Sequence, residues 1–496
     1  MNNVIGMDIG TSGLKTIVVD EYGQVIDSYS VEYKTEHPHT GYSEINPNIW
    51  YEAALESLAY VFGKYKSSEI AGLSFSGQMH GLVVVDKQGE VIRPAILWND
   101  TRTHKEVEWI KSELGLSLLL KETQNTVLEG FTLPKLIWLK NNEPEHYQQI
   151  DRFMLPKDYV AYKLTGNIFT EPSDASGTIM FNVKKGQWST TILDKLEINP
   201  HICPDIIPSH GYNGAIKESI MQKLNVNGDI KVYQGGADNA CGALGAGITD
   251  AQKRLVSIGT SGVALAIQND KTYENDGKVH YFHHCVPEQK YIMGVTLSAG
   301  YSLEWLKNVL NSKENFDHFL KEITSSQKGS NGLLYTPYLL GERTPYNDSS
   351  VRGSFIGLDA NTTMADMKRA VLEGVTFSIK DSLEIIKNDV HDSREIVSIG
   401  GGAKNKTWLQ IQADIFDTDI TTRTEEQGPA YGAAMLAAMG VGWFDSFKEL
   451  SAAWIAYNDS ISSNKADVQV YKDIYNVYTE VYENTQALSK KLVQFK

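Results

Sequence analysis

Short apolar runs rich in β-branched residues, separated by polar turns, open the chain and predict strands over residues 4–9, 16–20 and 25–31, arranged as a meander. The period then lengthens. After Asn46-Pro47, NPNIWYEAALESLAYVFGKY carries apolar positions at helical spacing behind a capping residue. Further short strands are predicted at 70–74, 82–85 and 95–98. Helical spacing at 133–140 and 159–164 alternates with TEPSDASGT and HICPDIIPSHGYNG, whose Gly, Ser and Pro content predicts an inserted or peripheral region. The second half predicts a helix over 365–388, a strand over 396–399, a helix over 407–416 and a last amphipathic helix over 468–488. Strands alternating with helices imply an α/β fold. The longest apolar stretch, 433–444, is too short to cross a bilayer and holds two glycines, so it predicts a buried helix.

One pentapeptide, Ile-Gly-Thr-Ser-Gly, occurs twice, at 9–13 and at 258–262. Strand-like residues flank both copies, so each reads as a β-hairpin whose tight turn offers backbone N–H groups and two hydroxyls, Thr11 and Ser12 in the first, to a phosphate. A single copy is more simply an ordinary turn. Repetition across half of the chain favours duplicated domains, 1–249 and 250–496, that grip one polyphosphate between them. The copies differ in charge: Asp8 and Lys15 flank the first, Ser257 and Ala264 the second. A carboxylate beside a phosphate calls for a cation, so Asp8 implies Mg²⁺, while Lys15 can neutralise phosphate oxygens directly.

At 496 residues the chain is long enough for two large cores. A net charge of -15 disfavours nucleic acid and anionic membrane as partners and leaves a small molecule. Three scattered cysteines make neither a disulfide framework nor a CxxC metal site. With no secretory signal evident, the expected location is cytoplasmic.

Four segments could carry chemistry. KVYQGGADNACGALGAG runs from a strand through two glycines to Asp238 and Asn239 at the start of a small-residue helix. Asp238 suits a general base facing a substrate hydroxyl, and equally suits a helix cap. GLSFSGQMHGLVVVD holds Gln78, Met79 and His80 in a loop between strands, neutral hydrogen-bonding groups and an adaptable apolar wall suited to a polyol. PAILWNDTRT adds Trp98, Asn99, Asp100 and Arg102, the mixture of ring face and planar polar groups that sugars bind. IVSIGGGAKNKTW places Gly400, Gly401 and Gly402 between a strand and a helix, where adenine or ribose can approach the backbone, although a tight βα turn would need the same glycines. Neither a P-loop nor a GxGxxG fingerprint occurs. His280, His283, His284 and Cys285 imitate a metal cluster but sit in a strand-like run, where neighbours point to opposite faces.

These motifs together resemble the FGGY carbohydrate kinases over nearly the whole chain. GMDIGTSGLK and SIGTSGV are similar to the family's two phosphate motifs, IGGGAKNKTW to its adenosine motif, and GFTLPKLIWLKNN and GSFIGLDANTTMADMKRAVLEG to its two signatures. GQMHG, ILWNDTRT, LPKDY and YLLGERTP resemble the members that phosphorylate D-xylulose. The resemblance implies a two-domain, actin-like (ribonuclease H-like) ATPase fold of duplicated core domains with a cleft between them. It also implies transfer of the γ-phosphoryl group of ATP to O5 of D-xylulose. Asp238 is then the base, Asp8 lies by Mg²⁺, and Met79, His80 and Asn239 meet the sugar. Thr11, Ser12, Lys15, Gly259, Thr260, Gly401, Gly402 and Asn405 hold ATP. The resemblance suggests a homodimer. Gluconate, ribulose and glycerol remain alternative acceptors, with Arg102 the cation that a gluconate carboxylate would need, and an ATP-binding sugar sensor is the non-enzymatic alternative.

Overall fold

The computed structural model describes residues 2–270, 272–386 and 395–495. Asn3–Ile9, Gly13–Asp20 and Val25–Glu32 form an antiparallel meander. Ile70–Gly77 pairs in parallel with the first of these, Lys231–Tyr233 in parallel with Ile70–Gly77, and Tyr212–Ala215 closes the edge. The second half repeats this order. Lys253–Ile258, Gly262–Ile267 and Lys290–Thr296 form the meander, and Glu395–Gly400 and Asp419–Thr421 add in parallel beside the first strand. Each pentapeptide turns between the first two strands of its sheet, so the repeated sequence marks a repeated topology.

Both faces of the strands Asn3–Ile9 and Ile70–Gly77 are covered, which is why they are buried nearly throughout, whereas the edge strand Val25–Glu32 alternates. Ile5, Met7 and Ile9 pack with Trp50, Ala54 and Leu58 of the helix Pro47–Lys64, whose cap is the expected Asn46. The opposite parity meets a helix from the far end of the chain. Pro429–Gly440 lies across Asn3–Ile9 and Ile70–Gly77 and against the helix Asp238–Gly245. Close approach explains the small residues. A Cβ on Gly6 would stand 2.1 Å from the Ala430 carbonyl oxygen, and one on Gly432 2.0 Å from that of Cys241. The buried helix expected at 433–444 is this element, shifted toward the N terminus. The helix expected at 365–388 is Met364–Ile385; its last expected residues lie outside the described ones.

The middle of the chain corrects one expectation. TEPSDASGT is not peripheral: Thr170, Glu171, Ser173, Asp174, Ser176 and Thr178 are fully buried, and the helix Pro172–Ser176 packs against the strand His280–His283 of the second sheet. Burial of so polar a segment is sustained by Lys157, whose Nζ lies 2.6 Å from Asp158, 3.5 Å from Glu171 and 3.4 Å from Asp174. HICPDIIPSHGYNG likewise ends in the sheet-edge strand Tyr212–Ala215.

Candidate functional site

In the first hairpin turn Gly10 N–H donates to the Gly13 carbonyl at 3.0 Å, and in the second Gly259 N–H donates to that of Ser261 at 3.0 Å. Asp8 and Lys15 face one another across the first hairpin. One carboxylate oxygen of Asp8, Oδ1, is buried without a hydrogen-bond partner. Burial pushes its pKa up to about 6, against the opposing influences of Ser76 and Lys15. Lys15 Nζ donates to the carbonyl and side-chain oxygens of Gln427, at 3.1 and 2.9 Å, tying the turn to the loop that starts the helix Pro429–Gly440. Ser12 is exposed, and Thr11 Oγ1 accepts from Trp98 Nε1 at 3.0 Å. Gln78 Nε2 donates to the Gly10 carbonyl at 2.9 Å. Gln78 and Trp98, expected at the sugar, are therefore fastened to the first hairpin turn.

Asp238 is the first residue of the helix Asp238–Gly245 rather than its cap. Ala237 occupies the cap position and makes no side-chain cap bond. Asp238 Oδ1 accepts from Asn239 N–H at 2.7 Å and from Asn239 Nδ2 at 3.1 Å. Burial, then the charge of Asp8, raise its pKa to about 7, while the Asn239 N–H opposes them. Asp8 is thus close enough to act on Asp238 and keeps an unpartnered oxygen, a pair of carboxylates that fits a hard divalent cation such as Mg²⁺. Asn239 Nδ2 also lies 3.7 Å from Met79 Sδ, which brings the loop after the strand Ile70–Gly77 to the same place.

His80 takes a left-handed φ of 68° and points its Nδ1 at the Gly177 carbonyl, 2.8 Å away. Its ring lies 4.7 Å from that of Phe131, and its own carbonyl accepts from Lys135 Nζ at 2.9 Å. Burial, with Lys135 and Arg343 nearby, holds its pKa down to about 3. The imidazole is neutral, donates through Nδ1, and leaves Nε2 as an acceptor for a hydroxyl.

Two sequence candidates face elsewhere. Asp100 is fully buried; its Oδ2 accepts from Ser43 N–H and from Arg102 Nη2, both at 2.6 Å. Arg102 is paired as well with Glu44 at 2.7 Å and stacks 3.7 Å over the Tyr42 ring. The pair is a closed structural unit, so Asp100 offers a sugar nothing and Arg102 offers no cation to a carboxylate. Asn99 is exposed in the turn before it.

A second candidate region is a cavity of about 370 Å³ between the second hairpin and the three-glycine turn. Gly259, Thr260, Gly401, Gly402 and Asn405 all line it. So do Gly300, Tyr301, Leu303, Phe316 and Leu320, which sequence reasoning missed because no motif links them. The glycines are required by contact: a Cβ on Gly300 would meet the Gly259 carbonyl oxygen at 2.4 Å, and one on Gly402 the Ile258 side chain at 2.6 Å. Asn405 caps the helix Lys406–Phe416 by accepting from Trp408 N–H at 3.0 Å. Apolar walls with a glycine floor suit a flat heterocycle. At Gly401 a Cβ would have room, 3.6 Å from its nearest neighbour. Gly401→Val should therefore fold normally, fill the cavity and raise the KM for ATP roughly tenfold or more, about 1.4 kcal/mol, with the sugar KM unchanged. Steady-state kinetics in each substrate checks this, and an unaltered ATP KM would remove the cavity from nucleotide binding.

The histidine-rich strand His280–His283 is a packing element. His283 Nε2 lies 2.7 Å from the Val183 carbonyl and His280 stacks on Phe282. Among the described residues no group of His, Cys, Asp or Glu forms a ready metal cage.

Comparison with known proteins gives a consistent picture. The sequence patterns of the N-terminal and C-terminal domains of the FGGY family of carbohydrate kinases match residues 3–245 and 255–441. A xylulose kinase of Staphylococcus xylosus is 65% identical over 97% of this chain and 100% of its own length. A ligand-bound xylulose kinase from Lactobacillus acidophilus superposes with a TM-score of 0.94 at 26% identity, covering 99% of this chain and 100% of that one. A gluconate kinase from the same organism matches with the same score and identity over 99% of each chain.

Proposed function

We propose that this chain, which belongs to the FGGY family of carbohydrate kinases, transfers the γ-phosphoryl group of ATP to O5 of D-xylulose. The observation that carries the reading is the grouping of Asp238 with Asp8, which acts on its carboxyl, and with Asn239, which contacts Met79. The nucleotide base occupies the cavity between Gly259 and Gly402, which directs its phosphates toward the paired turns. Asp238 accepts the proton of the attacking hydroxyl. Neutral His80, Met79 and Asn239 hold the polyol. Asp8 and Asp238 would hold Mg²⁺, which neutralises phosphate charge when bound. Phosphoryl transfer has a loose transition state, so positioning contributes more than proton abstraction, and closure of the two halves would supply it. We place the division between them near Thr249. A cytoplasmic, homodimeric enzyme belongs to the same proposal. Its support is the acidic composition, the family resemblance, and the lack of any helix among the described residues long and apolar enough to cross a membrane.

The acceptor is tested by ATP-dependent ADP release with D-xylulose, L-ribulose, D-ribulose, gluconate and glycerol. D-xylulose should give the highest kcat/KM. Gluconate is the competitor that the structural neighbours single out, but Arg102 is already neutralised by Asp100 and Glu44. A higher kcat/KM for gluconate would overturn the acceptor and leave the kinase.

A further inference from the structure

Among the described residues the side chain of Asp238 is hydrogen-bonded only to its neighbour Asn239, so its bearing on a substrate is set by the backbone turn that precedes it. That turn, residues 234–237, is tied down at each step. Gln234 Nε2 donates to Asp158 Oδ1 at 2.8 Å and to the Phe169 carbonyl at 2.9 Å. Gly235 N–H donates to the Ser209 carbonyl at 2.8 Å. Gly236 and Ala237 pair in parallel with the end of the strand Ile70–Gly77. The last tie before Asp238 leaves the backbone: Ala237 N–H donates to the hydroxyl of Ser173 at 2.9 Å.

One carboxylate stands behind two of these ties. Glu171 accepts from Ser209 Oγ at 2.7 Å, from Ser173 Oγ at 2.8 Å, from Ser173 N–H at 2.8 Å and from Asp174 N–H at 2.9 Å. A hydroxyl has one proton to give, and Ser173 gives it to Glu171, so the serine oxygen is left to accept from Ala237. Glu171, Ser173 and Ser209 are all buried, and water does not replace these bonds. The short helix that carries Ser173 is itself anchored to both halves of the chain. Ser176 Oγ accepts from His283 N–H at 3.1 Å, and the Thr178 carbonyl accepts from Leu133 N–H at 3.0 Å.

We propose that Ser173 is a positioning residue for the base: its hydroxyl, oriented by Glu171, fixes Ala237 and through it the place from which the Asp238 carboxylate meets the attacking hydroxyl. Ala237 directly precedes Asp238, so a shift of its peptide swings the carboxylate. Without the serine oxygen, the buried N–H of Ala237 is left unpaired or moves toward another acceptor. A displacement of about 1 Å at a reacting group costs about 10²-fold in rate. Ser173 acts on the rate only through Asp238. The assignment rests on the kinase reading above, in which Asp238 is the base.

The test is a double-mutant cycle of Ser173→Ala with Asp238→Asn, read in kcat and in both KM values with ATP and D-xylulose. Ser173→Ala alone should lower kcat roughly 10- to 100-fold and leave each KM within about threefold. In the Asp238→Asn background, where no base remains to be placed, the same substitution should cost less than about threefold. A role confined to stability would not give that dependence on Asp238. Ser173→Thr and Ser173→Val supply the hydroxyl control: the two side chains have the same shape, and Ser173→Thr should turn over roughly 10-fold faster or more because it alone can accept from Ala237. Should Ser173→Ala not fold, the ratio within this pair decides. An unchanged kcat in Ser173→Ala, a loss as large in the Asp238→Asn background as in wild type, or equal rates for Ser173→Thr and Ser173→Val overturns the assignment. Wild-type turnover in Asp238→Asn, or no phosphorylation of D-xylulose by the unaltered protein, would defeat the underlying reading instead.

Discussion

Asp238→Asn should fold, bind both substrates and turn over roughly 10² to 10⁴ times more slowly, the usual range for losing a general base. Asn preserves the acceptor that Asn239 N–H uses, and Asp238 is not the helix cap, so the helix start has nothing else to lose. Affinities for ATP and D-xylulose, measured by calorimetry, should stay within about tenfold. Stability gives a second, ligand-free signature. Burial and Asp8 raise the pKa of the folded carboxyl to about 7, so the folded state keeps a proton that the unfolded chain releases near its ordinary pKa of 3.8. Stability contributed by this group is therefore lost as pH rises from about 4 to about 7. The Asn variant escapes that loss. It should melt several degrees higher than wild type at pH 8 and no higher at pH 4. Near-normal turnover in a folded variant would remove the base; a lower melting point at pH 8 would remove the burdened carboxylate.

Asp8→Ala should cut turnover roughly 10² to 10³-fold, the scale of one preorganised electrostatic group. Because Asp8 supplies a buried, unpartnered oxygen, its loss should weaken the affinity for Mg²⁺: half-maximal activity moves to higher Mg²⁺. The same change removes one of the two influences that raise the Asp238 carboxyl, whose pKa should fall below about 7. Titration of activity against Mg²⁺ reads the first effect. Wild-type turnover with an unchanged Mg²⁺ profile would take Asp8 out of the site.

Local signals served the sequence reading well where one segment makes one element. The two Ile-Gly-Thr-Ser-Gly copies are hairpins at equivalent points of two like sheets, Asn46 caps its helix, and Gly259, Thr260, Gly401, Gly402 and Asn405 share one cavity. What stayed hidden depends on partners far away in sequence. The all-round apolarity of Pro429–Gly440 signals burial but not that its seat is the first sheet, which only the contact of Gly6 with Ala430 reveals. Glu171, Ser173 and Asp174 look like loop residues until Lys157 is set among them, and Ser173 Oγ then accepts from Ala237 N–H at 2.9 Å, bracing the turn that presents Asp238. Asp100 misled for the same reason: its polar setting resembles a sugar loop, while Arg102 and Ser43 already consume its oxygens.

The central claim is the transfer of a phosphoryl group to O5 of D-xylulose, and the nature of the product tests it most directly. Wild-type protein incubated with ATP, Mg²⁺ and D-xylulose, followed by ³¹P and ¹³C nuclear magnetic resonance, should yield ADP and one phosphate monoester whose phosphorus couples to C5. ADP formed without a sugar ester, or an ester at C1, would contradict it.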